Sequence, residues 1–198
     1  VEEYYRVRYT NTRMYLLTFE RTMEEIFRGE NDSISGNSIL LGIRSKDVEY
    51  QTNESGKVVT FVQEGELWSY NQEANTLAKV FSFRGYEGVD DRENYGEHDI
   101  KIVNIDEAGS IDYIVYGYMN RGIHEGTVGI AVYHYDSLAN TNEEQVFIPS
   151  SQSYEVMKSE LGQLMYVTES GAFYIMVDGN VYGIDLNSPV SYTHLRAH

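Results

Sequence analysis

The sequence predicts an all-β chain, and three observations carry the prediction. Short runs rich in aromatic and β-branched residues recur along its length, separated by Gly, Asn and Asp clusters of the kind that turn a chain. Eighteen tyrosines and seven phenylalanines, within 41% hydrophobic residues, supply material for a core and argue against disorder despite the charge. Finally, a tight glycine hairpin returning into an aromatic strand that ends in Asn or Asp occurs more than once.

Taken in order, residues 4–9 and 13–19 read as two strands. Thr22-Met23-Glu24-Glu25 has capping-box spacing, and Phe19, Met23, Ile26 and Phe27 share one helical face before Gly29, so a short helix is expected there. Residues 38–43 and 48–52 are short strands, with 53–56 turning the chain. The run 58–62, Val-Val-Thr-Phe-Val, is apolar almost throughout, as in a strand covered on both faces. Gln63-Glu64-Gly65-Glu66 makes a hairpin in which Gly65 adopts a positive φ at little steric cost. Strands follow at 67–70 and 76–83, and the acidic, glycine-bearing stretch 85–99 is a loop. Further strands fall at 100–105, 111–119, 127–135, 145–148, 164–168, 173–177 and 181–184, with a short amphipathic segment at 154–161. No domain boundary is visible.

Three segments superpose: Gly65-Glu66-Leu67-Trp68-Ser69-Tyr70-Asn71, Gly179-Asn180-Val181-Tyr182-Gly183-Ile184-Asp185, and, more loosely, Ile130-Ala131-Val132-Tyr133-His134-Tyr135-Asp136. Asn71 to Asp136 is 65 residues and Asp136 to Asp185 is 49. Propeller blades recur at about 40–50 residues, so the second interval fits one blade and the first fits one blade carrying the 85–99 insertion. The expected fold is a partial β-propeller of about three to four antiparallel blades with one or two short helices, Trp68 being buried between blades. The 65–71 hairpin with the following Asn75-Thr76-Leu77-Ala78-Lys79-Val80-Phe81-Ser82-Phe83 resembles the WD40-like blade repeat of TolB-type bacterial propellers and of prolyl-oligopeptidase-like enzymes. That resemblance covers 58–83 and 173–185, and it implies a bacterial, exported propeller without implying an activity.

The two ends bear on what is native. Val1 leads directly into a strand-like run, so 1–188 is expected to be a propeller domain truncated at both ends. Residues 190–198, Val-Ser-Tyr-Thr-His-Leu-Arg-Ala-His, look like a translated sequencing adapter, so 189–198 is expected to be a non-native tail. Discounting Arg196 with that tail leaves 14 basic against 31 acidic residues and moves the formal charge from −16 to −17. Such an acidic chain disfavours nucleic acid and anionic membrane surfaces as partners, and leaves protein or glycan partners open. No run approaches the roughly 18 apolar residues of a membrane-spanning helix. The absence of cysteine removes thiolate chemistry, disulfides and Cys-type zinc sites.

The segment richest in chemistry is 119–126, where Asn120, Arg121, His124 and Glu125 stand between two strands. His124 and Glu125 could share a proton or a ligand, and Arg121 could hold an anion; the competing reading is a long hairpin loop whose polar residues face water. The acidic residues Glu87, Asp90, Asp91, Glu93, Glu97 and Asp99 lack EF-hand spacing, since Tyr95 and Ile102 fall where ligands are required, and they read as a solvated loop. No nucleophile elbow, zincin, phosphate-binding or dinucleotide motif occurs. No catalytic residue, metal or cofactor is therefore expected. The function expected is non-catalytic binding or scaffolding within a larger extracytoplasmic protein, the alternatives being a substrate-gating propeller of a prolyl-oligopeptidase-like hydrolase or a carbohydrate-active enzyme using paired carboxylates.

Overall fold

The structure is a computed structural model that describes residues 2–22, 27–29, 34–36, 38–40, 47–85, 90–161, 165–168, 171–186 and 192–196. It divides into two compact units, Val1–Arg44 and Ser45–His198, where the sequence shows no boundary.

In the first unit, β1 (Glu2–Tyr9) and β2 (Met14–Thr22) form a two-stranded antiparallel ribbon. Its turn is closed by Thr10, whose N–H donates to the Arg13 carbonyl at 2.9 Å and whose hydroxyl accepts from the Arg13 N–H at 3.2 Å. β2 continues through Phe19 to Thr22, so the first residue of the expected helical face is extended; residues 23–26 of that helix lie outside the described residues. The short pair β3 (Ile34–Ser35) and β4 (Ser38–Ile39) follows, and the rest of the strand expected at 38–43 is described only to residue 40.

Among the described residues, the second unit holds three consecutive four-stranded antiparallel meanders, the blades of a partial β-propeller. The first blade is β5 (Tyr50–Thr52), β6 (Val58–Gln63), β7 (Glu66–Asn71) and β8 (Thr76–Phe81). β9 (His98–Ile105), β10 (Ile111–Tyr118), β11 (Val128–Asp136) and β12 (Thr141–Pro149) make the second. After α1 (Tyr154–Leu161), the third is β13 (Met165–Val167), β14 (Ala172–Val177), β15 (Asn180–Asp185) and β16 (Tyr192–Arg196). β16 lies within the tail expected to be non-native and pairs with β15 from Asn180↔Arg196 to Ile184↔Tyr192.

The three superposed segments all fall on the third strand of their blade, β7, β11 and β15. Glu64-Gly65 and Asp178-Gly179 both have two consecutive positive φ angles, 49° and 73° against 51° and 75°, the geometry whose twist matches a two-residue hairpin. The repeat also extends further than the hairpin. Tyr70-Asn71-Gln72-Glu73-Ala74-Asn75-Thr76 and Tyr135-Asp136-Ser137-Leu138-Ala139-Asn140-Thr141 make the same turn into the fourth strand. Asn71 and Asp136 accept from backbone N–H groups within the turn, at Ala74 and at Leu138 and Ala139. Asn75 and Asn140 take positive φ of 50° and 51°, and each accepts from its tyrosine hydroxyl, at 3.0 and 2.9 Å.

Alternation along β10 explains its nearly unbroken apolar sequence. Ile111, Tyr113 and Val115 join Leu67, Val80 and Phe83 in the seam between the first and second blades. Ile114 and Tyr116 point the other way, into a seam with Phe173, Ile175 and Val177 of the third blade and with Tyr154, Met157 and Leu161 of α1. A strand buried on both faces has no solvent side to carry polar residues. Trp68 is buried, at 4% exposure, but alternation places it opposite Leu67, and Leu67 is the residue of β7 that enters the seam with the second blade. The Lys79 ammonium lies 5.4 Å from the indole centroid, within cation–π range.

Candidate functional site

Because meander strands alternate in direction, the loop between the second and third strands of a blade emerges at the same end as the connection entering its first strand. In the first and third blades that loop is the two-residue turn at 64–65 or 178–179. In the second blade it is the stretch 119–127, bounded by Met119 N–H to Thr127 O at 2.9 Å and Gly126 N–H to Met119 O at 2.9 Å. It meets the connection 82–97, which includes a 3-10 turn at Asp91–Asn94 capped by the Asp90 carboxylate, which accepts from the Arg92 N–H at 3.0 Å.

Asn120 is the hinge of this junction. Only 1% exposed, its side-chain amide donates to the carbonyls of Tyr95 at 2.8 Å and Glu93 at 3.3 Å, while among the described residues its carbonyl oxygen meets no donor. Arg121 reaches Asp90 at 2.5 Å and Glu93 at 3.3 Å, with Glu125 at 3.9 Å. Arg92 bonds Asp90 at 2.8 Å and crosses to Glu125 at 2.9 Å. The hydrogen bond from the Arg92 side chain, then that from its N–H, with Arg121 adding its charge, hold the Asp90 carboxyl well below the usual carboxylate range. The connection is itself stitched by Arg84 to Asn94 at 3.0 Å and by the Gly85 N–H to Glu93 at 3.0 Å. At the tip, Ile123 is 88% exposed.

The four residues singled out in sequence therefore separate into two groups. Asn120, Arg121 and Glu125 converge on the acidic connection, which brings in Asp90, Arg92 and Glu93. His124 turns to the strands instead: its Nε2 lies 2.8 Å from Glu144, and its ring stacks on Phe147 at 3.7 Å. Tyr133 donates to the second Glu144 oxygen at 3.0 Å. His124 and Glu125 thus have different partners, and the Arg121 charge is met by carboxylates of the chain itself. The acidic loop read as solvated supplies half of the junction; its carboxylates are spaced for cross-loop arginines, a pattern that no single stretch of sequence displays. Among the described residues, no group of three or more His, Cys, Asp or Glu side chains could hold a metal ion.

A second polar cluster stands at the same end. Tyr154 donates to Asp99 at 2.8 Å, and the Lys158 ammonium bonds both Asp99 at 2.8 Å and Tyr154 at 3.0 Å. The Asp99 and Tyr154 hydrogen bonds push the Lys158 ammonium upward, so this pair ties α1 to the start of β9. Asp178 makes a comparable latch in the third blade, accepting from the Ser150 hydroxyl and from the Ser151 N–H, both at 2.7 Å.

His98, at the start of β9, connects the junction to the first blade. Its Nδ1 lies 3.2 Å from the Tyr95 carbonyl, the same oxygen that receives Asn120, and its Nε2 lies 3.4 Å from the Gly65 carbonyl. A Cβ on Gly65 would come within 2.7 Å of that Nε2, so the turn needs glycine for space as well as for its positive φ. Burial lowers the His98 pKa from its ordinary 6.5, against the opposing pull of both carbonyls and Asp99, with Arg84 adding to the lowering. The unfolded chain therefore binds more protons than the folded one just below pH 6.5, and stability falls as the pH drops through that region. Thermal unfolding followed from about pH 7.5 to 5 should show the melting temperature declining, and His98→Gln should flatten that slope. An unchanged slope in the variant would mean that His98 is not buried as a neutral ring.

The chain matches no protein family, and no curated protein matches it. Among solved structures, an oligogalacturonate lyase in complex with manganese is similar over 71% of this chain and 32% of its own, with 12% identity and a TM-score of 0.42. The extracellular domain of BT4673 from B. thetaiotaomicron is similar in two structures. One covers 75% of this chain and 17% of its own at 14% identity and TM-score 0.38; the other covers 76% and 22% at 13% and 0.26. The chain spans no more than about a third of the length of these proteins. At these scores they bear on no residue of the site.

Proposed function

We propose that this chain is a binding propeller of the WD40-like, TolB-type class from an exported bacterial protein, and that its partner docks on the braced 119–127 loop. The observation that supports this reading is the contrast between blades. Two have minimal turns at this position, whereas the second extends a loop, cross-links it to the neighbouring connection through Asn120, Arg121 and Glu125, and presents Ile123 at its tip. Rigidly supported loops are where binding residues concentrate, because little ordering cost remains to be met on association.

Binding is favoured over turnover because the loop's charges are already paired within the chain. The carboxylates of Asp90, Asp91, Glu93, Glu97 and Glu125 outnumber Arg92 and Arg121, so the surface suits a neutral glycan or a basic protein segment better than an anion. The test is a panel of immobilised glycans and basic peptides, read for both binding and product. Wild type should bind at least one member without converting it. Ile123→Ala, which removes the apolar tip, and Asn120→Ala, which removes the loop's tie to Tyr95 and Glu93, should each weaken that binding by about tenfold or more, the equivalent of one buried anchor, with unchanged far-UV circular dichroism. Binding indifferent to both substitutions would remove the loop from the interface, and turnover of a glycan would favour the carbohydrate-active alternative.

A further inference from the structure

The cluster that joins α1 to the start of β9 holds more hydrogen-bonding capacity than the chain uses. Asp99 and Tyr116 stand directly opposite each other on β9 and β10, so their side chains share one face of the blade. The Tyr154 ring of α1 lies against the Tyr116 ring with centroids 6.5 Å apart, and Lys158 follows four residues later on the same side of the helix. A single Asp99 oxygen, Oδ2, accepts both from the Tyr154 hydroxyl and from the Lys158 ammonium, each at 2.8 Å. Its Oδ1 takes no donor among the described residues. The ammonium has three N–H bonds and directs two of them, one to Asp99 and one to Tyr154.

The Tyr116 hydroxyl is the exceptional member. The residue is 8% exposed, yet among the described residues its hydroxyl meets no hydrogen-bond partner. Buried side-chain polar groups are seldom left unpaired; Tyr113, on the other face of the same strand, has the Asn142 amide on its hydroxyl. Burial raises the Tyr116 pKa above its ordinary 10, with the charges of Asp99, Tyr154 and Glu49 adding to the rise and Lys158 opposing it. The phenol therefore faces this cluster and keeps its proton to donate. The blades converge on their first strands, and β5 and β9 meet there: the Gln51 amide donates to the Ile102 carbonyl at 2.9 Å, and Lys101 bonds Glu49 at 3.2 Å. At that inner edge the Lys158 and Asp99 side chains are 55% and 35% exposed, so a ligand can reach them.

The charges decide the ligand class. Lys158 is balanced by Asp99 and Lys101 by Glu49, so these four side chains carry no net charge in a chain of formal charge −16. An ion of either sign meets one attraction and one repulsion there. A hydroxyl donates once and accepts twice, which matches the unused acceptor on Asp99, the unused N–H of Lys158 and the Tyr116 hydroxyl together. A few convergent polar groups with unused capacity are what orients a small ligand in a site. We propose that Tyr116, Asp99 and Lys158 form a binding site for a neutral saccharide, whose adjacent hydroxyl groups complete the hydrogen bonding of the three side chains. The site stands apart from the 119–127 loop and does not depend on what docks there.

NMR titration of the full chain with the methyl glycosides of glucose, galactose, mannose and xylose tests this. At least one should bind to wild type. Tyr116→Phe removes only a hydroxyl that holds nothing within the chain, so it should weaken that binding about fivefold, the equivalent of one hydrogen bond, while the melting temperature stays at or above that of wild type. Lys158→Met keeps an unbranched stem against the Tyr154 ring and removes the ammonium, and it should weaken binding about tenfold. Ile123→Ala, at the tip of the 119–127 loop, should leave this binding unchanged. The proposal is overturned if no glycoside binds, if either cluster variant binds as tightly as wild type, or if Tyr116→Phe melts well below wild type, which would make the hydroxyl structural. Binding that is lost in Ile123→Ala and kept in Tyr116→Phe would place the sugar on the loop and overturn it equally.

Discussion

Replacing Gly117 with alanine is expected to destabilise the second unit by about 3 kcal/mol or more, lowering the melting temperature by roughly 10 °C. Gly117 sits near the end of β10 with φ of 111°, a region that side chains rarely enter. A Cβ there would lie 2.4 Å from the Glu97 carbonyl oxygen, 2.8 Å from the Tyr154 ring and 2.9 Å from the His98 Cα. Two of those three neighbours are backbone, so relief requires β9 to move. That movement would disturb the Tyr118 N–H to Glu97 carbonyl bond, 2.7 Å, and loosen the connection against which the 119–127 loop is braced. Gly122 separates the two contributions. Its φ of 94° is similarly unfavourable, but nothing lies within 4 Å of a Cβ built on it. Gly122→Ala should therefore show the conformational cost alone, about 1 kcal/mol. Equal losses at the two positions, measured by urea or thermal unfolding, would show that the close approach at Gly117 is relieved without cost.

Truncating Tyr113 to alanine should cost about 3–5 kcal/mol, the range for removing a large ring from a filled core. Tyr113 is fully buried at the centre of the seam between the first and second blades. It stacks on Tyr133 with ring centroids 5.3 Å apart and meets Phe81 edge-on at 6.0 Å. Its hydroxyl accepts a hydrogen bond from Asn142, whose amide also donates to the Val80 carbonyl at 3.2 Å. Tyr113→Phe keeps the ring and should lose only about 1 kcal/mol, because the Asn142 amide retains Val80. If the phenylalanine variant were as damaged as the alanine variant, the polar tie between blades would outweigh the packing, contrary to the burial pattern.

The elements were largely legible in the sequence because the signals that define them are local. Runs of apolar, aromatic and β-branched residues marked the strands of the second unit, the Glu64-Gly65 pair marked its turn, and the segment 154–161 marked α1 to the residue. The repeat was legible as well, and more strongly than the hairpin motif alone indicates. The shared Tyr-Asn/Asp-x-x-Ala-Asn-Thr segment at 70–76 and 135–141 is a signal that superposing only the hairpins passes over. The helix expected at 22–27 lies mostly outside the described residues, and only Phe19, counted on its apolar face, and Thr22 at its start are seen to be extended. Its apolar spacing fits a helical face, but β2 runs through Phe19 and Thr22 because pairing with β1 supplies hydrogen bonds that spacing does not report.

What the sequence by itself determined is the all-β class, the positions of most strands and turns, the acidic character and the location of the one elaborated loop. Each follows from covalent geometry, side-chain alternation or composition, which act over a few residues or over the whole chain without regard to folding. Only the tertiary structure decided which side chains share the junction. Asn120, Arg121 and Glu125 meet Asp90, Arg92 and Glu93 across about thirty residues of chain because the meander returns β10 to the end at which β9 began. His124, one residue from Glu125, leaves that group for Glu144 and Phe147, since neighbouring residues of a tight loop diverge in direction. Such partnerships depend on which strands lie side by side, and that is determined by the packing of whole blades.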